Sequence, residues 1–154
     1  MSEHTAEIVW TRSSNDFDHA RFNRDHAWTF QGGVVVPASS APDFHGNPAY
    51  LNPEDAFVAA LSSCHMLTFL AIAARKRFIV ERYADHPVGV LSKNEGGKLW
   101  LSRVTLRPDV VFSGEKRPTA EEIDGMHHSA HAHCIIASSA RTEVVIEPIR
   151  RQGT

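Results

Sequence analysis

The chain has 154 residues, 42% hydrophobic and 22% charged, which excludes collagen-like, low-complexity and disordered chains. Its 16 basic and 18 acidic residues leave a formal charge of −2, so the basic excess of a general nucleic-acid binder is absent. The length predicts a single domain over 1–154, and two cysteines are too few for a disulfide scaffold, whereas ten histidines are an excess that needs a reason.

The N-terminal MSEHTAEIVW is polar and lacks a basic segment followed by an apolar run. No signal peptide is read there, and a reducing cytoplasm is the expected location. Ala6 to Thr11 reads as a short strand, and Trp28 to Val36 as another with a turn or bulge at Gly32-Gly33. Pro37, Pro42, Gly46 and Pro48 punctuate a loop from Val36 to Tyr50. A helix then starts at Asn52, a good N-cap, with Pro53 in its first position and Glu54 and Asp55 at the positive end of the dipole. It runs to about Arg77, where a basic cluster suits the C-terminal end.

Val88 to Ser92, a turn at Asn94-Glu95-Gly96-Gly97 and a long strand from Lys98 to Phe112 form a hairpin with one wet face. Thr119 and Glu122 make a capping box for a second helix. Its apolar stripe is Ile123, Met126, Ala130, Cys134 and Ala137. Thr142 to Glu147 closes the chain as a strand. The order predicts an α+β fold with two long helices packed on antiparallel sheet.

The first helix raises a membrane question, because Ala56 to Ala74 carries no formal charge and approaches the ~20 residues of a span. Ser62, Ser63, His65 and Thr68 interrupt the run, and no second span accompanies it. A buried helix and no membrane partner are the expectation. A helix apolar all round must be covered on all sides, and in so small a domain a partner subunit is the natural cover.

Both cysteines lie on apolar stripes. Cys64 shares its stripe with Phe57 and Leu61, and each cysteine has a histidine beside it, His65 and His133. Buried free cysteine is often only a small hydrophobe. One thiol per helix is also what a thiol peroxidase needs. A thiolate attacks a peroxide and becomes a sulfenic acid, and a second thiol condenses with it before overoxidation. An organic peroxide also needs an apolar pocket, for which Phe57, Leu61 and His131, one turn before Cys134, are the candidates.

The segment from Asn52-Pro53-Glu54 to Ser62-Ser63-Cys64 resembles the first cysteine signature of the OsmC/Ohr family, and Ala130 to Ser139 resembles the second. The resemblance implies a two-cysteine, cofactor-free peroxidase that reduces organic hydroperoxides in oxidative-stress defence. It implies an OsmC-like fold, an intertwined homodimer with sites at the subunit boundary, and a dithiol reductant. By match, Cys64 is the peroxidatic thiolate, Cys134 the resolving thiol and Glu54 the catalytic glutamate. That glutamate pairs with an arginine. Arg21 and Arg24 are the candidates, and Arg24 is preferred because Arg24-Asp25-His26 looks like an Arg-x-His segment of the family. Ile135 replaces the usual proline after the second cysteine, and His65 an aromatic after the first. These departures leave the natural peroxide and the reductant open.

Glu54 and Cys64 lie ten positions apart, roughly 15 Å of rise and about 80° of rotation on one straight helix. Either the helix breaks, near Ser62-Ser63, or Glu54 and its arginine come from a partner chain. Finally, His127, His128, His131 and His133 crowd Cys134. They carry no HExxH or paired CxxC spacing, so no metal is expected. The competing reading is a non-catalytic module that binds a metal or a small ligand on the same fold.

Overall fold

The structure, a computed structural model, describes residues 1–150, so the last four residues of the expected 1–154 domain lie outside the described part. The chain divides into two compact units, Met1–Ala56 and Phe57–Thr154.

In the first unit, β1 (Ala6–Val9), β2 (His26–Phe30) and β3 (Val35–Ala38) form an antiparallel meander. The single strand expected over Trp28 to Val36 is two strands. Gly32 and Gly33 adopt φ of 93° and 82°, a left-handed pair that reverses the chain instead of bulging it. Beyond β3 the backbone of Ser39 donates to Leu51 O at 2.8 Å, and a 3₁₀ turn, Pro42–Phe44, lies within the intervening loop.

Helix α1 spans Pro53–Arg75 without a break. Asn52 caps it: its Oδ1 accepts from Asp55 N at 2.8 Å while its Nδ2 donates to Asp55 Oδ2 at 2.8 Å. Arg77, at φ 62°, ends the helix in the left-handed conformation. Phe78 N then reaches back to Ala73 O at 3.0 Å, which satisfies a terminal carbonyl. Leu61, His65, Phe69 and Ala73 form the buried face of α1. Ala60, Ser63, Leu67, Ala71 and Ala74 are exposed, Leu67 by 60%.

The second unit also holds β4 (Ile79–Ala84), β5 (Val88–Lys93), β6 (Leu99–Leu106), β7 (Asp109–Ser113), α2 (Ala120–His133), α3 (Ile135–Ser138) and β8 (Glu143–Ile146). Three features differ from the sequence reading. The long strand expected from Lys98 to Phe112 divides at Arg107-Pro108. Proline has no N–H for a ladder, and after it β7 leaves β6 and pairs with β4, a strand the sequence reading did not find. The sheet is not wholly antiparallel: β5 pairs with β6 antiparallel, but β6 pairs with β8 in parallel. The second long helix stops at His133, so Cys134 is not inside it.

Two apolar clusters hold this unit together. Phe69, Ala73, Phe78, Phe112, Met126 and Ala130 join α1, α2 and β7. Leu61, Val104 and Leu106 join α1 and β6, with Ile136 of α3 and Val144 and Ile146 of β8 against them.

Candidate active site: a thiol pair at a helix junction

Cys134 is where α2 ends and α3 begins. Its backbone is extended, at φ −73° and ψ 111°, and it serves as the C-cap of one helix and the N-cap of the next. Its Sγ accepts from Ala137 N at 3.4 Å. The apolar spacing of Ala130, Cys134 and Ala137 suggests an uninterrupted helix, but the break re-aims the Cys134 side chain.

Cys64 lies midway along α1 and is half-buried, whereas Cys134 is buried. Both thiols are free, and the two side chains are neighbours. Burial first, and then the adjacent Cys64 side chain, push the Cys134 thiol pKa up, against the backbone N–H groups of Ala137 and Ile136.

Next to the thiols lies a buried polar cluster. His65 is fully buried, and its ring stacks on His127 of α2 with centroids 5.4 Å apart and planes 6° from parallel. His65 Nε2 and His127 Nδ1 share a hydrogen bond at 3.1 Å. His127 also stacks on Phe69, at 4.3 Å between centroids. Burial lowers the pKa of both rings from 6.5 to about 4. His131 adds to this at His65 and Asp85 opposes it, while His65 adds to it at His127 and Asp124 opposes it. Asp85 accepts from Ser62 Oγ at 2.5 Å and from Arg107 N at 2.6 Å. Burial, and then Asp85, raise the pKa of Tyr83. The cluster's signal in the sequence is Ser62 and His65 inside an apolar run. Its members Tyr83 and Asp85 were not found, because the strand that carries Tyr83 was missed.

The other expected site residues fall as follows. Leu61 is fully buried in the β6 core, and Phe57 packs at the edge of that core. His131 is half-buried, with Nδ1 lacking a partner among the described residues. Arg24 and Glu54 belong to the first unit and Cys64 and Cys134 to the second. Arg24 donates to the carbonyls of Phe22 at 2.8 Å and His19 at 2.6 Å, and its guanidinium lies 4.1 Å from the Phe22 ring centroid. It lines a bowl of about 380 Å³ with Trp10, Phe17, Phe22 and Pro53. Arg21 instead pairs with Asp16 and Asp18 on the surface. The Glu54 side chain makes no hydrogen bond or ion pair among the described residues. Among those residues, too, no three His, Cys, Asp or Glu are grouped to hold a metal ion.

The OsmC-like protein family matches residues 45–148, which include both cysteines. An OsmC-like protein of unknown function from Vibrio cholerae has 49% identity to this chain and a TM-score of 0.93, over 97% of this chain and 100% of that one. OhrB, an organic hydroperoxide resistance protein of Bacillus subtilis, shares the fold at 21% identity and a TM-score of 0.66, over 94% and 98% of the two chains. An organic hydroperoxide resistance protein from Elizabethkingia anophelis does so at 17% identity and 0.67, over 96% and 95%. No curated protein matches the chain. The fold is therefore OsmC-like, an α+β arrangement, and the chain belongs to the OsmC-like protein family.

Proposed function

We propose that the chain is a thiol peroxidase that reduces organic hydroperoxides, with Cys64 attacking and Cys134 resolving. The observation that carries this reading is a pair of free thiols set side by side, Cys64 half-buried on α1 and Cys134 buried at the α2–α3 junction. The Cys64 thiolate attacks the distal peroxide oxygen, the O–O bond breaks, and the alkoxide takes a proton and leaves as an alcohol. The Cys64 sulfenic acid condenses with the Cys134 thiol, giving a disulfide and water. A dithiol then exchanges with the disulfide, restoring both thiols and leaving oxidised itself. No metal or cofactor enters the cycle, and its place would be the cytoplasm.

Hydroperoxide resistance proteins of the same fold support the reading. Arg24, in an apolar bowl, suits a peroxide with an apolar body, and Glu54 would pair with it. On an unbroken α1 the ten-residue offset leaves Glu54 roughly 15 Å of rise from Cys64, beyond side-chain reach. The Glu54 and Arg24 that serve one Cys64 would therefore come from the partner of a homodimer. Turnover of cumene hydroperoxide with a dithiol, lost in Cys64→Ser, is the expected result. Full activity in that variant would refute the proposal.

A further inference from the structure

A second cavity, of about 170 Å³, lies within the second unit between β7, α2 and the segment 148–150. Val110, Phe112, Ile123 and Ile149 give it apolar walls, His127 forms part of the lining, and neither cysteine does. Arg150 bonds both oxygens of Asp124, at 3.0 and 2.8 Å, and both residues line the cavity. His127 is 3% exposed, and its Nε2 has no hydrogen-bond partner among the described residues. A buried unpaired polar atom costs free energy, so the bare nitrogen of this cavity-lining residue needs an explanation.

We propose that the cavity binds a neutral, ring-sized molecule carrying one hydroxyl, of the phenol class, with the hydroxyl on His127 Nε2. The volume sets the size: a cavity of about 150 Å³ accepts one benzene ring. The histidine pair sets the polar group. Two neutral rings hold two N–H groups, and one of them is used in the bond between His65 Nε2 and His127 Nδ1. Either direction of that bond leaves one outer nitrogen as donor and the other as acceptor. A hydroxyl gives or takes a hydrogen bond, so it satisfies His127 Nε2 in both arrangements, whereas a carbonyl satisfies only one. Asp124, already matched by Arg150, disfavours a carboxylate there. Nε2 is shielded from water in the empty cavity, so the ligand must displace the wall slightly to reach it.

The test titrates the whole protein with phenol and with benzene and follows the methyl resonances of Val110 and Ile123 by NMR. Saturable shifts are expected, with phenol binding up to about tenfold tighter than benzene, as one buried hydrogen bond allows. His127→Phe keeps an aromatic ring and removes Nε2, and it should bring the two ligands to equal affinity. Ile123→Trp should fill the cavity and abolish binding of both. Equal affinities in the unaltered protein, or no saturable shift, would overturn the proposal. The comparison of two ligands on the native chain needs no variant to fold, and it is independent of peroxidase activity.

Discussion

His65 and His127 are titratable residues held away from water. Each has a pKa lowered from 6.5 to about 4, chiefly by burial. The native rings thus stay neutral where unfolded histidine takes up protons. Between pH 6.5 and 4 the unfolded chain binds more protons than the native one, so acid destabilises the fold through that window. Above it the contribution is complete, and below about 4 it is gone. The loss should be on the order of 3 kcal/mol per ring, read as a fall in the urea midpoint from pH 7 to pH 4. The double variant His65→Phe, His127→Phe keeps the stacked apolar rings and should flatten the profile. An unchanged slope in that variant would show that other groups control the acid limb. The thiols allow a second prediction at this scale. Cys134→Ser should trap a sulfenic acid on Cys64 and then overoxidise it, because nothing remains to condense with it. Mass spectrometry that finds Cys134 oxidised first in the native chain would reverse the two roles.

At the scale of elements, the capping box of α2 is reciprocal. Thr119 Oγ1 accepts from Glu122 N at 3.2 Å, and Glu122 Oε2 accepts from Thr119 N at 2.8 Å. Thr119→Ala should cost about 1 kcal/mol, measured by urea unfolding. Gly89 of β5 is more sensitive, because a Cβ there would lie 2.6 Å from Val58 Cγ2 of α1. Gly89→Ala should destabilise by about 1–3 kcal/mol through overpacking; a neutral outcome would mean that β5 is free to shift. Signals of this local kind made much of the fold legible. Asn52, Thr119 and the Asn94 turn mark their elements by short-range chemistry, and the observed helices and hairpin start beside them. What was not legible depended on distant partners. IVERYA becomes β4 because β7 lies beside it. Arg107 turns out of β6 where Asp85 receives its N–H. The parallel pairing of β6 with β8 joins residues about forty positions apart. At the site, Cys64 and Cys134 were read as candidates from their spacing and neighbours. The break at Cys134 escaped because apolar spacing alone does not distinguish a continuous helix from two helices in line.

At the scale of the whole molecule, α1 decides how many chains a site needs. It is long and apolar enough to cross a membrane, yet only 28% of its most apolar window is buried within one chain. His65 and Ser62 tie one side of it to His127 and Asp85, which is the behaviour of a core helix. The opposite face, with Ala60, Leu67 and Ala71, is uncovered. The homodimer proposed above would cover it, because in a twofold dimer a second copy of the chain would present the same face back to it. The proposed pairing of Cys64 with Arg24 and Glu54 makes the same demand, because one straight helix separates Glu54 from its own Cys64 by roughly 15 Å. Two inactive chains should therefore rescue each other. One carries Arg24→Ala and Glu54→Ala with Cys64 intact, and the other carries Cys64→Ser with Arg24 and Glu54 intact. Unfolded and refolded together, half of the dimers are mixed, and each mixed dimer holds one complete site. About a quarter of the native peroxidase activity should then return. Leu67→Glu, which places a charge on the uncovered face, should shift the protein toward monomer in analytical ultracentrifugation and lower activity with it. A verified mixed dimer without activity would place each site within a single chain, and a fully active monomer would remove the need for a second chain.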